Sequence, residues 1–452
     1  MVVQIESLSR PNTRPEIGRT QKCQRLVATT YDNNIASDYT EKIEALNRQF
    51  RYADNSAHYW SHPEQSVLFG TPLYASATPA QRLALNHLHW FANYNYISDS
   101  ESETVAFNQI TGSVFKSIGG YGTLAAELTV ETEQEYQHIN AFRKIGLMTA
   151  TSVIGRSGLN ALLKWNSYKL KLGQDKVPTY QYYALRAIAK RMTRDTRAHY
   201  SDYLHRVEAK SPFILQAPTT GMLGRSLEFS VPLQSFFSFS WGAGSPFMAC
   251  QFYTIRMIAN LYLKNMEHGI AKYYKTLENA GEFIPAPTAV SRYHFLDEAF
   301  HTTISQLLAK DLYREFSKPT AYERFVANMS LYMMQRGTLG GLSGVLPHRY
   351  FADDGTIMEV LYRLLQGPVF GMAADEALHW MQRCLCQEHD GFHLASHNRH
   401  RLLSELRRFF QPVEYLWPVN REMRVMAKRG SIDAAVQQNQ TTFDQFSRSL
   451  AA

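Results

Sequence analysis

Cysteine is scarce. Cys23, Cys250, Cys384 and Cys386 are the only four in 452 residues, and their spacing matches neither a disulfide framework nor a thiolate zinc site. Reduced thiols and a cytoplasmic protein are expected. The opening residues, MVVQIESLSRPNTRPE, have no apolar signal core. The one long uncharged stretch, between Glu228 and Arg256, is interrupted by Pro232 and Pro246 and rich in Ser, Gly and Gln. It reads as a buried loop entering a helix and not as a membrane span. No glycine-rich nucleotide motif is present, so any reducing equivalents must come from outside the chain. Alternating strand patterns are scarce as well. The net charge of +7 is spread out; its densest part, Arg401, Arg407, Arg408, Lys428 and Arg429, reads as a solvated helical face. Neither nucleic acid nor membrane is an expected partner.

What is plentiful is apolar and aromatic surface: 45% hydrophobic residues, with 26 Tyr and 25 Phe. That composition supports a large globular core. The pattern is helical nearly throughout. Residues 1–70 read as an arm with one helix near 36–52. Thr78-Pro79 opens a helix, and helical spacing continues through Leu85, Leu88, Ala92, Ala106, Phe107, Ile110 and Val114 until Gly119-Gly120. Further helices are expected at about 122–147, 178–209, 247–279 and 288–316. Beyond Lys318-Pro319 come segments near 320–336, 356–388, 398–411 and 417–429, then a polar, Gln-rich tail from Gly430 expected to fray. The fold expected is all-α, with a bundle over 71–317 between the arm and a helical extension over 318–452.

Three Glu-x-x-His matches occur: Glu135/His138, Glu298/His301 and Glu376/His379. With 25 Glu and 16 His, random placement alone gives about one. Context separates them. Glu376/His379 lacks companions and reads as a helix-surface pair. The other two lie in long helical patterns, each with an acidic residue upstream: Glu101 (or Glu103) for the first and Glu267 for the second. Glu and His three apart share a helix face. Two such pairs, plus a lone Glu from each of two other helices, form the ligand set of a di-iron carboxylate bundle. On the last of these helices His294, Glu298 and His301 fall on one face, amid Tyr293, Phe295, Leu296, Ala299 and Phe300. Buried charge in such surroundings has to be paired or metal-bound. Carboxylate and imidazole without thiolate suit non-haem iron or manganese. Asp297 is expected to accept a hydrogen bond from a ligand histidine.

These residues resemble those of the p-aminobenzoate N-oxygenase family of ferritin-like di-iron enzymes. The likeness spans about residues 71–316 and is carried by HFLDEAFH (294–301), by the spacing from Glu267 to His294, and by PAQR (79–82), Trp90 and Glu101. It implies a ferritin-like four-helix bundle holding two iron ions on Glu101, Glu135, His138, Glu267, His294, Glu298 and His301, with His294 as the family's extra ligand. It favours Glu101 over Glu103, although Glu103 continues the Leu85–Ala92–Ala106–Ile110 stripe. Gln134 departs from the family, which often has Asp before both paired glutamates. The implied reaction uses O2 and an external electron donor to oxidise an amine nitrogen to hydroxylamine, and on to nitroso or nitro, in a biosynthetic pathway. The amine is free or tethered to a carrier protein, and a homodimer is the assembly allowed for.

Three other readings compete. A di-iron hydroxylase or desaturase would act on carbon with the same ligands. A ferritin-like storage protein would be shorter and less aromatic. A purely structural helical protein would leave its Glu/His faces in water. Tyr94, Tyr136 and Tyr293 are candidates to line a substrate pocket.

Overall fold

The computed structural model describes residues 21–162 and 245–451, with isolated positions 184, 187, 188 and 191 between them. The expected helix at 178–209, the uncharged stretch up to residue 244 and the first 20 residues lie outside the described part. Among the described residues there is no strand, and the protein is all-α.

In chain order the main helices are α1 (Gln21–Ala36), α2 (Tyr39–Gln49), α3 (Pro79–His89), α4 (Asn95–Ile118), α5 (Gly122–Val153), α6 (Pro246–Ala280), α7 (Ala286–Lys310), α8 (Ala321–Gly337), α9 (Gly355–Gln366), α10 (Ala374–Leu385), α11 (Asp390–Phe410) and α12 (Ile432–Ala451). Local chemistry sets many of their ends. Thr78 and Gln81 form a reciprocal capping box around Pro79. Ser245 caps α6 by accepting from the Met248 amide, with Pro246 in the first turn. Gly281 closes α6 in the left-handed region at φ 66°. Gly119 and Gly120, at φ 75° and 77°, make the tight return from α4 to α5 that side chains with a Cβ resist.

Four long helices, α4 to α7, pack side by side. Their hydrogen bonds fix their directions. Tyr94, just before α4, meets Glu267 late in α6 and Ser291 early in α7. Asn108, further along α4, meets Glu131 on α5 and Tyr253 and Arg256 early in α6. So α4 and α7 run one way, and α5 and α6 the other. Apolar layers seal the polar centre: Trp90, Phe142, Ile145 and Ile270 at one end, Phe107, Leu128, Phe252 and Met257 at the other.

Helices α1 and α2 lie against α5 and α7, while α8 and α11 lie against α6. Several expectations change here. Among its described residues the arm holds two main helices and not one, because Ser37-Asp38 breaks the segment. The span expected at 356–388 is two helices, divided after Gln366 where Gly367-Pro368 follows. The tail does not fray: Ala435, Phe443 and Phe446 of α12 are buried, and α12 packs on α9 and α10. Its polar composition hides an apolar stripe at helical spacing. No helix among the described residues is long and apolar enough to cross a membrane. Cys250, Cys384 and Cys386 are free thiols.

Candidate metal centre

The inward stripe of α4 is Ile97, Glu101, Thr104, Asn108 and Thr111, all buried. One turn of π-helix, Trp90–Tyr94, precedes it. The extra residue rotates everything after it by about 100°. This is why Glu101 faces inward although it falls off the stripe through Leu85 and Ala92. Glu103 is half-buried and stands apart from the donor clusters.

Six of the seven expected ligands form two clusters. Glu101, His138, His294 and Glu298 offer donor atoms within 4.8 Å of one another, and Glu135, Glu298 and His301 form a second such group. Glu298 belongs to both. Within them, His301 Nδ1 lies 2.8 Å from Glu298 and 3.3 Å from Glu135; His294 Nε2 lies 3.1 Å from Glu101. The seventh, Glu267, stands just outside both groups, 2.8 Å from His294 Nδ1, and accepts a bond from Tyr94. All seven are buried. Glu376 and His379, by contrast, are exposed on α10 and join neither cluster.

A second layer holds the first in place, and it is reciprocal. Asp297, beside Glu298 on α7, pairs with His138 of α5 at 3.2 Å. Gln134, beside Glu135 on α5, pairs with His301 of α7 at 3.0 Å. The arm anchors both. Thr40 donates to Asp297 at 2.8 Å. Asn34 donates to Gln134 and Glu127 and accepts from Gln134. On the opposite side Arg256 donates to Glu131 at 2.7 Å and to Glu135 at 3.0 Å. Glu127 and Glu131, two turns and one turn before Glu135, read from the sequence as a solvated acidic face, yet both are buried; Asn34, Thr40 and Arg256 escape a search for ligand motifs. Only Arg256 carries a signal: it is the first charge after a long neutral stretch, on a helix with little solvated surface.

The electrostatics show a site with more negative charge than its own cations balance. Burial pushes Glu101 up to about 7, despite the hydrogen bond with His294. Burial and the neighbouring Glu131 take Glu127 up to about 8. His138, His294 and His301 are all raised, although burial works against their charge, because carboxylates surround each ring; His138 reaches about 8. Glu135 falls well below the usual range: burial opposes this, but His301, His138 and Arg256 outweigh it. Several buried atoms are left without a hydrogen-bond partner: Glu101 Oε2, Glu135 Oε2, Glu267 Oε2 and His138 Nδ1. Orphaned acceptors that deep call for a partner, and a divalent cation is the partner this donor set fits.

The centre opens on one side. Glu101, Glu135, Glu298 and Arg256 form part of the wall of a partly open cavity running between α4 and α6. The rest is mostly apolar: Ile97, Ile258, Leu263, Met334, Leu339 and Phe351 line it. Met334, Leu339 and Phe351 belong to the extension after residue 318, so that segment completes the chamber. Tyr94, Tyr136 and Tyr293 do not line it. Tyr94 is buried against Glu267, Tyr136 is 45% exposed, and Tyr293 stacks on Tyr39 of the arm.

A family model described as acyl halogenase CylC-like matches residues 22–447. No curated protein matches the chain, and no solved structure does. The match names acyl halogenases, whereas the ligand motif taken alone resembles the N-oxygenases. The chain belongs to the CylC-like acyl halogenase family of enzymes.

Proposed function

We propose that this protein is a two-iron oxidative enzyme that replaces hydrogen by halogen on a carbon of an apolar acyl chain. The observation that carries the reading is the opening of two buried donor clusters onto one largely apolar chamber. The family description supplies the halogen and the acyl group. Glu101, His138, His294 and Glu298 would hold one iron and Glu135, Glu298 and His301 the other, with Glu267 closing the set beside His294.

Bound iron would supply the activation of O2 and the oxidising power. Overall a C–H bond and a halide give a C–X bond. O2 takes up four electrons and becomes two waters: two electrons come from the C–H and halide, two from an external donor. The chain's own residues provide position and dryness. Asp297 and Gln134 orient the imidazoles of His138 and His301. Arg256 fixes the Glu135 carboxylate. Apolar side chains of α4, α6 and the extension exclude water and seat a hydrocarbon. A carrier-bound acyl thioester in the cytoplasm, with an electron-transfer protein as donor, fits this scheme.

The test is to reconstitute the enzyme with iron and supply reductant, O2, chloride or bromide, and a panel of acyl thioesters on pantetheine or a carrier protein. Mass spectrometry should show the halogen isotope pattern on the acyl part. Hydroxylated chains with no halogen product would return the protein to the carbon hydroxylases. A second reading, amine oxidation, is favoured by His294 lying four residues before Glu298; an amine panel run alongside should give no oxygenated product.

A further inference from the structure

We propose that the two metal positions are unequal by construction, with the one on His301 weak and exchangeable and the one on His138 and His294 tight. This rests on the two-metal reading above and goes beyond it, because that reading says nothing of rank.

Three independent features point the same way. The first is the number of donors. One cluster gathers four residues, the other three, and they share Glu298. The second is the charge of the group behind each ring. His138 is backed by the Asp297 carboxylate at 3.2 Å, His301 by the Gln134 amide at 3.0 Å. A carboxylate behind an imidazole makes it a stronger donor; a neutral amide does so less. The orientation of that amide is fixed by its neighbours. Gln134 Nε2 donates to Asn34 Oδ1 at 2.7 Å, and Asn34 Nδ2 is committed to Glu127 at 2.9 Å and to Gln134 Oε1 at 3.2 Å. Gln134 therefore presents its carbonyl oxygen to His301, and His301 meets a neutral acceptor. The third feature is Arg256. It occupies Glu135 Oε1 at 3.0 Å and leaves that carboxylate one unpartnered oxygen, Oε2. That oxygen lies 3.6 Å from His138 Nδ1 of the other cluster, so the His301 position draws less than a full carboxylate from Glu135. Both positions adjoin the chamber, since Glu101 of one and Glu135 of the other are in its wall. A metal held by few protein atoms keeps coordination places for ligands that arrive through the chamber.

The experiment titrates the metal-free, full-length protein anaerobically with cobalt(II) and then iron(II), following heat, ligand-field absorption and Mössbauer spectra at rising iron loading. Two binding constants at least tenfold apart are expected, with one iron spectrum filling before the other. Asp297→Asn should weaken the tight constant by about tenfold and leave the weak one within about twofold, so the two converge; second-sphere partners of metal-bound histidines typically carry 10–100-fold. A merely structural role for Asp297 would weaken both together. Gln134→Glu should tighten the weak constant instead. Two ions of equal affinity, or an Asp297→Asn protein that keeps its melting temperature and loses both constants equally, would overturn the inference while leaving the two-metal reading intact. Uptake of one ion or none would sink that reading as well.

Discussion

Replacing Asn34 by Ala tests whether the arm is part of the active centre. Asn34 is 1% exposed and makes three side-chain hydrogen bonds: to Glu127 at 2.9 Å, to Gln134 Oε1 at 3.2 Å, and from Gln134 Nε2 at 2.7 Å. A buried hydrogen bond contributes about 0.5–1.5 kcal/mol net, and stranding its partner costs toward the upper end. Both partners are stranded here, so the loss should be about 3 kcal/mol. Thr40→Val supplies the scale, since it removes a single bond to Asp297 and should cost about 1 kcal/mol. Urea unfolding of the metal-free proteins, followed by tryptophan fluorescence, measures the ratio from midpoints at a common slope. Asn34→Ala should also bind less than one full equivalent of the second metal, because Gln134 no longer has a fixed orientation against His301. A loss below about 0.5 kcal/mol with both metals retained would show that the arm covers the centre without shaping it.

Other outcomes follow from the same geometry. Glu127 is raised to about 8 by burial, so the folded state binds a proton that the unfolded chain releases near its ordinary value. Its contribution is full at low pH and is lost as pH rises through 8, with a limiting slope of about 1.4 kcal/mol per pH unit; Glu127→Gln should flatten that fall in a series of thermal melts. Glu101→Ala should remove metal from the His294 cluster while Glu103→Ala costs little, as metal quantification would show; the reverse would contradict the π-helical phase shift. Ala259→Phe, in the chamber wall, should raise KM for long acyl chains by about tenfold or more with metal content unchanged. Equal KM values across chain lengths would place the substrate elsewhere.

Much of the centre is legible in the sequence because its ligands are spaced locally: three residues from Glu135 to His138, seven from His294 to His301. Helix geometry alone puts each set on one face. The all-α fold is legible for the same reason. What escapes is long-range. Asn34 and Gln134 are a hundred residues apart, and nothing near either suggests the other. The phase of α4 escapes because one extra residue at Trp90–Tyr94 breaks the regular spacing on which any stripe argument depends. Aromatic residues mislead in the opposite direction: Tyr94, Tyr136 and Tyr293 suit a pocket, yet the chamber is built from Tyr96, Tyr262, Tyr350 and Phe351, two of them from the extension. The halogenating chemistry belongs to the family description, since the same donor set serves oxidation at nitrogen or carbon.

The crossed pairing of Gln134 with His301 and Asp297 with His138 carries a consequence for the order of assembly. Each helical hairpin, α4–α5 and α6–α7, can form from its own neighbours in sequence, and such local contacts form fast. Neither hairpin can orient its own paired histidine; the acceptor for each ring is on the other one. During synthesis the first hairpin would emerge carrying Glu101, Glu135 and His138, with the His138 ring lacking its Asp297 partner. Asp297 lies 159 residues further along the chain than His138, so the ring has to wait for the second hairpin. On the two-metal reading proposed above, premature capture of metal by a half-made chain would be disfavoured by the wiring itself, and metal uptake would report that the two halves have closed.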